Sequence, residues 1–296
     1  MTKFNYQIIT PDEQYKLLIE RWLIDDIWKD KIVLFLKHHS YFQIMLYFLK
    51  FQDKDKLFLP NTLRSDIQSM YEFDHNLRVM VFSFICEIEH SFKNNFCQVT
   101  CQKRGNIRWV DPIKYRRSGC FDKHIKPFLN QIDENKTTPE KIPHDIIRKY
   151  MQKYMDPLYP PLWNMLEVLT FGSISTIYKS LDNSTKKEIA NLYSLDNSIL
   201  ESWIQAIVTV RNICCHHNKL YDQPIKTSIQ IAKRFVSAFE WDNCRLFAIL
   251  GIIHYFCHKL DIHTKFLLQL TTLIKAYPTV NTGLPTDWEG LIKWII

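Results

Sequence analysis

Between residues 63 and 100 the chain carries neither proline nor glycine, and Met70, Phe73, Leu77, Val81, Phe84, Ile88 and Phe92 recur every three or four residues. An apolar stripe at that spacing is one face of an α-helix, so the segment predicts one long helix or two nearly collinear ones. Glycine is scarce everywhere: six in 296 residues, each standing alone. No phosphate-cradling P-loop or dinucleotide-binding loop can be written from isolated glycines. A series of tight hairpins is also excluded, because their turns need Gly or Asn at positive φ. With 46% hydrophobic residues the chain has enough apolar material for a sizeable core. Together these features predict an all-α fold.

The rest of the chain punctuates itself accordingly. Thr10-Pro11-Asp12-Glu13 reads as a capped helix start, with Leu17, Leu18, Trp22 and Leu23 carrying the helix to about residue 27. A second, aromatic-rich helix is expected over about 30–51, followed by a charged loop. From 103 to 143, Gly105, Pro112, Gly119, Pro127, Pro139 and Pro143 allow only short helices joined by loops. Regular pattern returns after Pro160-Pro161, with helices expected at about 162–180, 184–193, 197–217, 226–239, 242–276 with an interruption, and 287–295. No repeat, low-complexity tract or flexible linker is visible. The expectation is one compact body over 1–296, with a basic, irregular insertion at 105–159.

Charge is concentrated in that irregular part. The formal net charge is +7. Lys103, Arg104, Arg108, Lys114, Arg116, Arg117, Lys123 and Lys126 face only Asp111 and Asp122 in the same stretch, with Trp109, Tyr115 and Phe121 interleaved. Cations attract a polyanion and aromatic rings stack on bases, so the stretch is a candidate RNA contact; its plain alternative is a solvated loop. The eight cysteines form no Cys-x2-Cys pair and no disulfide framework, which predicts reduced thiols and a cytoplasmic chain. The N-terminus lacks a signal-peptide pattern. The longest apolar run, 246–256, is about half of the ~20 residues a bilayer span requires. His254, Cys257 and His258 share a helical face, but without a fourth ligand they read as core or surface residues, and neither metal nor cofactor is expected.

Chemistry concentrates in residues 202–222, S-W-I-Q-A-I-V-T-V-R-N-I-C-C-H-H-N-K-L-Y-D. At about 100° per residue, Trp203, Ile207, Val210 and Cys214 form one stripe, which Ile204, Ala206, Val208 and Ile213 widen over most of the circumference. A mostly buried helix is expected, with a thin polar seam of Gln205, Thr209, Asn212 and His216. Such a seam is either a hydrogen-bonded structural network or a reactive site at a contact surface. Arg211 lies about 140° from His216 on a straight helix, whereas Asn212 lies about 40° from it. A second copy of the helix across a two-fold axis would bring an Arg and a His to one cleft. His217, about 40° from the Trp203 stripe, is expected to be more buried than His216. Arg78, Glu87 and Glu89 on the long central helix read as an ion-pair or hydrogen-bond network bracing the motif helix. Cys214 and Cys215 read as small buried residues.

Arg211-Asn212-x3-His216 resembles the Arg-x4-6-His motif of HEPN ribonucleases, and R-N-I-C-C-H-H-N-K-L-Y-D resembles the Abi-like abortive-infection family, with Lys219 where relatives often carry Arg. The likeness extends to Tyr71-Glu72-Phe73-Asp74-His75-Asn76-Leu77-Arg78, Glu87-Ile88-Glu89, Leu162-Trp163-x3-Glu167-x3-Phe171-Gly172 and Gly283-Leu284-Pro285-x2-Trp288. It implies a HEPN-like helical bundle, its core at 62–104 and 160–240, with additional N-terminal helices. It also implies a metal-independent endoribonuclease toxin of an antiphage abortive-infection or toxin-antitoxin system. Arg211, Asn212 and His216 would be catalytic and His217 auxiliary; Arg104, Arg108, Arg116, Arg117, Lys123 and Lys219 would bind RNA. The implied partners are substrate RNA, a second copy in a homodimer, and a regulator, either an antitoxin or a small structured RNA. The alternative is a non-catalytic RNA-binding or scaffold protein of the same fold. A toxin silenced by nucleotidyl transfer is disfavoured: such proteins carry Tyr two residues after the motif His, and here Asn218 stands there, with Tyr221 the nearest Tyr.

Overall fold

The computed structural model describes residues 8–24, 29–111, 119–225, 227, 229–231, 235, 246–293 and 295, with the Arg108 side chain excepted. Among these residues the secondary structure is α-helical, in fourteen helices α1 to α14, with two isolated bridge pairs, Ile24 with Leu63 and Gln52 with Phe58. The all-α expectation holds.

The proline- and glycine-free segment is one continuous helix, α4 (Arg64–Arg104). Before it, α1 (Pro11–Glu20) starts on the expected capping box: the Glu13 amide donates to the Thr10 hydroxyl, and the Thr10 amide donates back to the Glu13 carboxylate. It is shorter than expected, because Trp22 turns the chain at φ +72°. The single helix expected over 30–51 is two, α2 (Lys29–His38) and α3 (Tyr41–Phe48), broken where Ser40 leaves helical geometry as the cap of α3. Residues 103–143 give the expected short pieces: 3-10 turns at Arg108–Val110 and Pro139–Lys141, α5 (Cys120–His124) and α6 (Lys126–Glu134). Next come α7 (Asp145–Lys153), α8 (Leu162–Val168) and α9 (Phe171–Ser180). The last two replace one expected helix, divided where Thr170 turns extended and its hydroxyl accepts from the Ser173 amide. The remaining helices are α10 (Asn183–Leu192), α11 (Asn197–Cys215), α12 (Leu246–Lys259), α13 (His263–Ala276) and α14 (Trp288–Lys293). The expected interruption in 242–276 falls at Asp261, φ +58°. The helix expected at 226–239 lies mostly outside the described residues.

Contacts divide the chain into two units: residues 1–81, 213–223 and 267–284; and residues 82–212, 224–266 and 285–296. In the first, Ile32, Leu36, Ile44, Phe48, Phe58 and Ile67 are buried, and Tyr71 meets Phe35, His39 and Tyr47 edge-on. In the second, α12 is buried from Leu246 to Cys257, and Trp203 of α11 packs on Phe235, Tyr255 and Phe256 at ring separations of 6.0, 5.2 and 6.2 Å. Among the described residues no helix is long and apolar enough to cross a membrane.

Candidate functional site

The motif helix α11 is buried over Trp203, Ile204, Ala206, Ile207, Val208 and Val210, as the helical wheel predicts. The polar seam emerges gradually. Gln205 and Thr209 are half-buried, the Thr209 hydroxyl bonding the Gln205 carbonyl (3.0 Å) and the Thr227 hydroxyl (2.9 Å). Asn212 and His216 are exposed. The upper seam is therefore a structural network, and only its last two members face solvent. Arg211 is half-buried at 35% side-chain exposure, its Nε 3.8 Å from Glu89 Oε2. That separation exceeds hydrogen-bond length, and the buried Nε has no hydrogen-bond partner among the described residues. Glu89 also pairs with Lys93 at 2.9 Å.

The end of α11 departs from the wheel. The His217 amide donates to the Cys214 carbonyl (3.2 Å) and the Asn218 amide to the Ile213 carbonyl (3.0 Å), the bond pair of a Schellman motif with His216 as C-cap and His217 in the left-handed position, φ +55°. Extrapolating 100° per residue past Cys215 therefore fails. The wheel predicts the greater burial for His217, yet both histidines are exposed.

The stretch beyond the turn is anchored by groups that spacing alone does not single out. Asp74 of α4, at 0% exposure, accepts from the Tyr47 hydroxyl (2.5 Å), from Arg78 Nη1, and from the amides of Leu220 (3.1 Å) and Tyr221 (2.5 Å). Arg78 Nη1 also donates to the Asn218 carbonyl at 3.3 Å. Burial, and then the Asp74 carboxylate, push the Tyr47 hydroxyl pKa upward, so the phenol stays a donor. Arg78 and Glu89 thus brace the motif segment as expected, whereas Glu87 is exposed and makes no hydrogen bond or ion pair to that segment among the described residues. The legible signal for Asp74 is an acid and a base four residues apart on the apolar face of α4. Burial raises the Cys214 thiol to about 12, consistent with an inert core residue.

Of the expected RNA contacts, Lys219 turns inward. It is 8% exposed, its ammonium donates to the Leu46 carbonyl (3.1 Å) and lies 4.9 Å from the Tyr47 ring centre, and burial lowers its pKa. Arg104 is engaged internally with Asp182, and Trp109, a candidate for stacking, is buried with Nε1 donating to the Pro160 carbonyl. Lys123 is exposed on α5. Arg116, Arg117 and the Arg108 side chain lie outside the described residues. His254 and Cys257 are core residues, and among the described residues no group of three or more His, Cys, Asp or Glu is disposed to hold a metal ion.

These features define an all-α protein whose buried motif helix ends in an exposed Asn and His beside a half-buried Arg, with the turn beyond it held by a buried acid–base pair. The chain belongs to the Abi-like protein family, whose model matches residues 34–222, from within α2 to the residue after Tyr221. That membership suggests an abortive-infection role. Comparison with the curated proteins and with the solved structures gives no match.

Proposed function

We propose that the protein is a HEPN-type, metal-independent endoribonuclease acting as the toxin of an antiphage abortive-infection or toxin-antitoxin system. The observation that carries this reading is the exposure of Asn212 and His216 at the end of a helix otherwise committed to the core, next to an Arg211 whose Nε has no hydrogen-bond partner among the described residues. Histidine titrates near neutral pH and can move a proton between a ribose 2′-OH and the leaving 5′-oxygen. The 2′-oxygen attacks phosphorus, the P–O5′ bond breaks, and the 5′-oxygen leaves protonated, giving a 2′,3′-cyclic phosphate and a 5′-OH. Arg211 supplies fixed donors for the charge gathering on the phosphorane, and Asn212 orients the imidazole or the phosphate. DNA, which lacks the 2′-OH, is not cut. Because one chain carries one such motif, the active form is a homodimer with facing motif helices. A regulator, an antitoxin or a small structured RNA, holds the toxin in check.

The 3.8 Å approach of Arg211 to Glu89 favours a second reading, in which the arginine is structural and the protein is a non-catalytic RNA-binding scaffold. Purified wild type, Arg211→Ala and His216→Ala separate the two. The ribonuclease reading expects each variant to retain RNA binding and to lose scission by about 10²- to 10⁴-fold, with growth arrest lost in parallel. Scission unchanged in both variants would overturn it.

A further inference from the structure

We infer that Asp74, with Arg78 and Tyr47, is a positioning residue that fixes the orientation of His216 and His217; the inference rests on the ribonuclease reading above. The cluster grips residues 218–221 at both polarities: Asp74 holds the amides of Leu220 and Tyr221, and Arg78 holds the carbonyl of Asn218. The gripped stretch begins one residue after His217, which sits at φ +55°, a conformation that a side-chain-bearing residue keeps only where its surroundings impose it. His216 and His217 are exposed, so packing of their rings does not aim them. The backbone sets where each Cα–Cβ bond points, and so the range each ring can reach, and that backbone is tied on one side to the last turn of α11 through Ile213 and Cys214 and on the other to Asp74. The Asp74–Arg78 pair by itself is no better for stability than apolar packing, but the carboxylate also satisfies the buried amides of Leu220 and Tyr221, which an apolar residue would leave without a partner. What the polar cluster adds is direction. Asp74 itself is fully buried and reaches no substrate, so it acts only through the chain it holds.

The test is the double variant Asp74→Asn/Arg78→Met. Asn keeps an acceptor for the amides, removing both charges leaves neither Asp74 nor Arg78 as a lone buried charge, and Lys219 keeps Asp222, the acid that acts on it more strongly, so the fold is retained. With a cooperative thermal transition confirmed, turnover on RNA is expected to fall about 10²-fold with KM unchanged, the response to a displaced reacting group rather than to lost binding. The His216 and His217 ring resonances are expected to move in NMR spectra. Wild-type turnover in the folded double variant, or unmoved ring resonances, overturns the inference. If wild type and His216→Ala show the same absence of scission, the ribonuclease reading fails separately, and the resonances alone decide whether Asp74 sets the histidines. Should the double variant not fold, Tyr47→Phe removes a single donor to Asp74 and carries the same two readouts, with a smaller loss of turnover.

Discussion

His217 occupies the position at the end of a helix where glycine is normally the most stable residue, because the left-handed conformation crowds a Cβ. His217→Gly is therefore expected to stabilise the fold by about 0.5–1 kcal/mol, seen as a higher urea midpoint with unchanged slope. An unchanged or lower midpoint would mean that the histidine makes contacts outweighing its backbone strain. Residue identity is a good guide where local rules govern, as at Thr10 and along the Trp203 stripe. It is a poor guide to cations. Lys219 and Arg104 look alike in sequence as free positive charges, yet one lies against Tyr47 and the other against Asp182. Whether a lysine meets a phosphate or a carbonyl is decided by residues far away in the chain.

At the scale of elements, helix existence is legible and helix division is not. The breaks at Ser40 and Thr170 contain neither proline nor glycine at the capping position. Serine and threonine serve in helix interiors as well as at caps; at Thr170 the hydroxyl finds a free amide, whereas Ser40 caps α3 through its backbone turn alone, with no side-chain cap bond. The start of α10 shows how strong such a cap can be. The Asp182 carboxylate accepts from the Thr185 amide (2.9 Å) and hydroxyl (2.8 Å) and pairs with Arg104 at the end of α4. Although burial works to raise its pKa, these bonds hold it well below the ordinary carboxylate range. Asp182→Ala is expected to cost about 1–2 kcal/mol in chemical denaturation, more than an isolated cap alone, because the ion pair with Arg104 is lost as well. Asp182→Asn should recover part of the loss, and a silent Asp182→Ala would show that α10 is held by packing alone.

For the whole molecule, the dependence of stability on pH has an identifiable internal source. Burial, with His263 and His258 adding to it, holds His254 of α12 at about 4, below the ordinary value of 6.5. A folded-state value depressed below the unfolded one means that the contribution of neutral His254 is fully present above about pH 6.5 and is lost as pH falls toward 4. The midpoint of urea denaturation should therefore drop between pH 7.5 and 4.5, and His254→Leu should reduce that drop; an equal drop in both proteins would place the source in the carboxylates instead.

The sequence by itself determined the helical class, the helical stretch that becomes α4 and the burial of α11, because each depends on spacing along a single element, and it determined the family through the order of short motifs along the chain. Only the tertiary structure decided that His216 and His217 both leave the helix for solvent, that Asp74 grips the chain just beyond them, and that Lys219 turns inward. Those outcomes depend on hydrogen bonds between residues such as Asp74 and Tyr221, which lie far apart in sequence and which no periodicity couples.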